Sequence, residues 1–112
     1  MRRIHYAEDS IVTGDEIALA VLEYARMLAV TSTADTVEVP VLHGDGIRSV
    51  QLLLGPASQM FVEDEPSVVD EIVDTELVAD LQDRADRLRS PSPVYSADDV
   101  SVPFDPVDDE LL

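Results

Sequence analysis

The side chains able to do chemistry are overwhelmingly carboxylates. Twenty-four Asp and Glu stand beside seven basic residues, two His and three Tyr in 112 residues, and the basic residues are all Arg. Carboxylates in pairs or triplets suit two tasks, coordination of a hard cation and general acid/base catalysis. For the first, Asp70, Glu71 and Asp74 would share one face if their segment were helical, a set of oxygens that suits a divalent ion. No run has calcium-loop spacing, and solvated acids are the simpler account of the three. For the second, a catalytic carboxylate needs a desolvated pocket to tune its pKa, and the pattern singles out none of the 24. No residue is therefore assigned a catalytic, cofactor-binding or metal-binding role, and a non-enzymatic protein is expected. His5 and His43 are 38 positions apart. They read as a strand histidine and a turn histidine rather than as a metal pair.

What is absent narrows the chemistry further. Without cysteine there is no disulfide, thiolate zinc site, cysteine nucleophile or iron–sulfur cluster. The four glycines never fall into a phosphate-binding loop, and neither a nucleophile elbow nor an HExxH helix occurs. A formal charge of −17 repels nucleic-acid backbones and anionic lipid surfaces, so neither is an expected partner. The longest apolar run, Ile17 to Leu22, falls far short of the roughly 18–20 residues that span a bilayer. A cytoplasmic bacterial protein is the expectation.

The charge is unevenly placed. Residues 1–62 hold eight acids and four Arg, a net of −4, whereas residues 63–112 hold sixteen acids and three Arg, a net of −13. Glu76, Asp80, Asp83 and Asp86 form an acidic stripe that suggests imitation of DNA phosphates toward a basic protein. Arg84 and Arg87 interleave with that stripe. The pairs Asp80–Arg84 and Asp83–Arg87 have the favourable i, i+4 order, so a solvated, ion-paired helix face is the preferred reading. The last 23 residues contain four of the seven prolines, six acids and no base. Within them Val100, Val102, Phe104, Asp105, Asp108, Asp109 and Glu110 are the candidate interaction residues. An extended apolar segment with acidic flanks can add to a sheet edge or enter a groove while its acids steer it to a basic rim.

The elements that must position these groups follow from periodicity and turn chemistry. Arg3 to Ala7 reads as a short strand leading to a polar turn at Glu8-Asp9-Ser10. Thr13-Gly14-Asp15-Glu16 reads as a capping box opening a helix over residues 14–30. Ile17, Val21, Tyr24, Ala25 and Leu28 share one side of it, with Ala18, Leu22 and Ala29 beside them. A helix this apolar needs cover on more than one side, either a sheet and a second helix or a sheet and a neighbouring subunit. Val37 to Leu42 and Ile47 to Leu54 form a hairpin through His43-Gly44-Asp45-Gly46. Val50, Leu52 and Leu54 share a face, Arg48, Gln51 and Leu53 are partly free, and Pro40 is at an edge or turned outward. Gln59 to Val62 is a further strand. Asp74 opens a second helix running to Arg89, buried through Leu77, Leu81, Ala85 and Leu88, and Ser67 to Val73 is expected to extend it backward.

Arg3-Ile4-His5-Tyr6-Ala7, Thr13-Gly14-Asp15-Glu16-Ile17-Ala18, Val39-Pro40-Val41-Leu42 and Leu53-Leu54-Gly55-Pro56-Ala57-Ser58-Gln59 together resemble a group of short uncharacterised proteins of high-GC actinobacteria. The resemblance covers residues 3–60. It implies a bacterial, cytoplasmic, single-domain protein and transfers no catalytic residue.

The expected fold is a small α+β domain over residues 1–89, in the order strand, helix, antiparallel strands, helix, followed by an acidic, proline-containing tail over 90–112. The expected function is a non-enzymatic protein-interaction or structural module. It would form a homodimer through the helix 14–30 or an exposed sheet edge, with a basic protein as a further partner. Two alternatives remain. One is a small-ligand or divalent-metal site between helix 14–30 and the sheet, with His5, Tyr6 or Tyr24 as polar handles. The other is an acidic, DNA-mimic-like inhibitor.

Overall fold

The computed structural model describes residues 1–57 and 59–89. The fold is α+β, with two helices and five strands in two antiparallel sheets. In the first sheet, β1 (Arg2–Tyr6) lies between β2 (Asp9–Thr13) and β5 (Met60–Asp64). Ile4 at the centre of β1 is fully buried, while Arg3 and His5 on either side of it face outward.

β2 departs from the expected polar turn. The connection is only Ala7-Glu8, and Asp9 already pairs with Tyr6, so the chain returns along β1 before the helix begins. Ala7 has φ +58° and Glu8 has no positive φ, the pattern of a type II′ hairpin turn with alanine where glycine is usual.

The capping box does not form either. Thr13 ends β2 fully buried, and its hydroxyl donates to the Pro40 carbonyl at 2.7 Å, joining the edges of the two sheets. The residue preceding α1 (Asp15–Val30) is Gly14, which offers no side-chain cap. The Asp15 N–H donates instead to Glu71 Oε2 at 2.5 Å. At its far end, Ser32 at φ +56° lets its own N–H and that of Thr33 reach the carbonyls of Ala29 and Leu28, a Schellman closure.

The second sheet is the hairpin of β3 (Asp35–His43) and β4 (Gly46–Leu54), turned at Gly44 with φ +65°. Val37, Val39, Val41, Leu52 and Leu54 are buried on its inner face. Arg48 lies on that same face, opposite buried Val41, yet is itself exposed. Residues 65–74 form an irregular strap rather than the expected backward extension of the second helix. Val68, Val69, Ile72 and Val73 are β-branched, which disfavours helix, and Asp74 Oδ1 accepts the Leu77 N–H, so α2 (Thr75–Arg89) starts after its own cap. Ile72 anchors the strap in the core.

α2 packs on α1 through Leu81 and Ala85, with Leu77, Val78 and Leu88 partly buried around them. The apolar helix thus has strands on one side and α2 on the other, the cover that its composition demands. No helix among the described residues is long and apolar enough to cross a membrane.

Candidate association surface

The three proposed polar handles do not converge on one cleft. Tyr24 is buried, and its hydroxyl donates to Asp35 Oδ2 at 2.5 Å; Arg84 donates to the same oxygen at 2.9 Å and pairs with Asp80 at 2.9 Å. This ties α1, the start of β3 and α2 together. Burial, then the adjacent Asp35, pushes the Tyr24 hydroxyl above its ordinary pKa. The Tyr24 hydrogen bond is the largest of the effects that hold Asp35 below the usual carboxylate range. His5 lies on the outward face of the first sheet, stacked on Phe61 with ring centroids 4.2 Å apart and bonded to Glu63. Tyr6 donates to the Leu53 carbonyl beside an open groove of about 520 Å³ that is also bordered by Ala34 and Pro56.

The carboxylates are likewise dispersed or occupied. Glu71 takes the Asp15 N–H and the Met1 amine, whereas Asp74 caps α2, so the helical trio with Asp70 is not assembled. Among the described residues no group of three His, Asp or Glu is arranged to hold a metal ion. In the acidic stripe Asp80, Asp83 and Asp86 face Arg84, Arg87 and Arg89, and Arg89 also reaches Glu23 on α1. The expected i, i+4 pairs are present, and with them most of the stripe's field is neutralised locally. The candidate interaction residues Val100, Val102, Phe104, Asp105, Asp108, Asp109 and Glu110 lie outside the described residues.

The surface that stands out is a strand edge. β2 turns its outer edge toward β3, through Thr13 and Pro40, leaving β5 and β4 as the outer edges among the described residues. β5 is five residues long and ends in exposed Glu63 and Asp64, the charges that normally discourage edge pairing. β4 is nine residues long, contains no proline and carries a single charge, Arg48.

Pro40 determines which β4 groups face outward. It has no N–H, and its carbonyl points away from β4 to Thr13, so Pro40 and Ser49 are a non-hydrogen-bonded pair. By alternation Ile47, Ser49, Gln51 and Leu53 present their backbone groups to the outer edge. Among the described residues no backbone hydrogen bond reaches the N–H of Ile47, Ser49 or Gln51. The side chains of the same four residues project from the outer face, where Ile47 is 64% and Leu53 61% exposed. Sequence alternation placed Leu53 among the partly free residues but gave Ile47 no role. Ile47 borders an open groove with Leu42 and with Val68 and Ile72 of the strap.

Compared with known protein families, curated proteins and solved structures, the chain has no significant match.

Proposed function

We propose that this protein is a non-enzymatic association module that engages its partner by strand addition along the outer edge of β4. The observation that carries the reading is the nearly uncharged β4 edge, whose Ile47, Ser49 and Gln51 N–H groups meet no backbone acceptor among the described residues and which is flanked by exposed Ile47 and Leu53. Native sheets blunt long edges with charge, proline or cover, and among the described residues β4 has one charge, no proline and only the Tyr6 hydroxyl at its Leu53 end. Main-chain hydrogen bonds along such an edge supply affinity, and alternate side chains supply selectivity. The helix 14–30 is a weaker docking face, because α2 and the strands already bury eight of its residues.

Amide hydrogen exchange tests this reading. The N–H groups of Ile47, Ser49 and Gln51 should gain protection when the chain meets its partner, either at high concentration of the pure protein or on adding cell extract. Gln51→Pro removes an outward N–H without removing a β3–β4 bond, and it should abolish that protection. Fast exchange of the three amides under both conditions refutes strand addition.

A further inference from the structure

Resting on the strand-addition reading, we infer that the partner is a second copy of this chain, joined β4 to β4 about a two-fold axis through Val50. A two-fold edge pairing must be antiparallel, and residues with outward backbone groups must face each other, so only a few registers exist. Centring on Val50 places Ile47 opposite the second copy's Leu53 and Ser49 opposite its Gln51, each pair occurring twice. Apolar then meets apolar and polar meets polar along the whole outer face. Centring on Ser49 sets Ile47 against Gln51, and centring on Gln51 sets Leu53 against Ser49, so both leave an exposed apolar side chain facing a polar one. The Leu53 carbonyl already accepts from Tyr6, and its second lone pair is available to the incoming Ile47 N–H.

Charge permits this contact at β4 and opposes it at β5. A chain with net charge −17 repels its own copy almost everywhere. β4 carries one positive charge and no acid, whereas β5 would bring Glu63 and Asp64 against themselves. The second sheet also gains most from such a partner. It has two strands, a size that is marginal by itself, and pairing makes it four. The contact is small for a specific interface, below about 1,200 Å², so a dissociation constant in the micromolar range is expected.

Sedimentation of the full chain over a concentration series should show a monomer–dimer equilibrium. Raising ionic strength from about 0.01 M to about 1 M shortens the Debye length from roughly 30 Å to roughly 3 Å, and dimerisation should tighten as the repulsion is screened. Leu53→Lys should weaken the dimer by about tenfold or more with the circular dichroism spectrum unchanged. The absence of cysteine allows a direct register test. Val50→Cys should give a disulfide-linked dimer on mild oxidation, because that residue faces its own copy. Ser49→Cys alone should not, whereas Ser49→Cys mixed with Gln51→Cys should cross-link. A strict monomer at several hundred micromolar in high salt overturns the inference, as does a dimer in which Ser49→Cys links to itself and Val50→Cys does not. If the pure chain stays monomeric but its β4 amides become protected in extract, strand addition stands and the second copy is wrong. If they are protected in neither, both fail.

Discussion

Replacing Gly14 by serine should destabilise the protein, although serine is normally the better residue at a helix N-cap. Gly14 has φ −67° and ψ 157°, a conformation open to any residue, so backbone freedom is not the reason for glycine. Space is the reason. A Cβ at this position would lie 2.9 Å from the Ile72 carbonyl carbon, closer still to its oxygen, and 3.3 Å from Glu71 Oε2. The obstacle is backbone, so no rotamer change relieves it. The strap must lift, and with it go Ile72, only 6% exposed, and the acceptor of the Asp15 N–H. Burying an isoleucine contributes about 2 kcal/mol, and overpacking typically costs about 1–3 kcal/mol. The usual gain of serine over glycine is a few tenths. We therefore expect Gly14→Ser to cost about 2–3 kcal/mol, which lowers Tm by roughly 10–20 °C in a domain of this size. Urea unfolding followed by circular dichroism measures it, with an unchanged m-value showing that the folded state remains compact. In an Ile72→Ala background the strap is already loosened, so the same substitution should cost far less, a coupling between neighbours. A Gly14→Ser protein as stable as the parent, or more so, refutes the reasoning.

Three further outcomes are expected. Tyr24→Phe should cost about 1–2 kcal/mol, since it removes a hydrogen bond to a carboxylate from a buried hydroxyl; a double-mutant cycle with Asp35→Asn should show coupling between the two, and additive losses would contradict the contact. Ser32→Gly and Ala7→Gly should each stabilise by about 0.5–1 kcal/mol, because both positions hold a positive φ that costs a non-glycine residue; calorimetry showing no rise in Tm would count against both turns. Stability should be lost in acid. Asp35 is held below its ordinary pKa chiefly by Tyr24, Glu71 by the Met1 amine and then the Asp15 N–H, and Glu23 chiefly by Arg26. Such groups contribute in full above their unfolded values near 4, and the contribution disappears as pH falls through the lower folded values. Tm should thus be nearly level from about pH 6 to 8 and fall below about pH 4, with a shallower fall in Asp35→Asn.

What the sequence made legible was local. Helix α1, the β3–β4 hairpin around Gly44 and the start of α2 at Asp74 all rest on periodicity or turn chemistry contained within a few residues. The misreadings arise where distant chain intervenes. The β1–β2 turn uses Ala7-Glu8, which lack the glycine or asparagine that announces a hairpin, so local signals read β2 as a loop and a cap. Thr13 has the composition of an N-cap, but its hydroxyl is taken by Pro40, 27 positions away. The cap it was expected to supply comes from Glu71, 56 positions from Asp15. The open β4 edge was legible in part. Strand period and the proline at 40 were visible, but which edge of the β3–β4 hairpin stays open depends on β2 lying beside β3, and no local signal carries that.

The position of α1 between the strands and α2 has a consequence for how the protein is made. Apart from the β1–β2 hairpin, the described residues that cover this helix are all encoded after it: β3, β4 and β5, then Ile72 in the strap, then Leu81 and Ala85. A ribosome that has released residues 1–30 has thus delivered an apolar helix with little to shield it and no acceptor yet for its first amide. Shielding is complete only when α2 has emerged, so the nascent chain carries this apolar helix partly uncovered until residue 89 has been made. Slow translation between residues 30 and 89 would prolong that exposure, and fast delivery of α2 would end it.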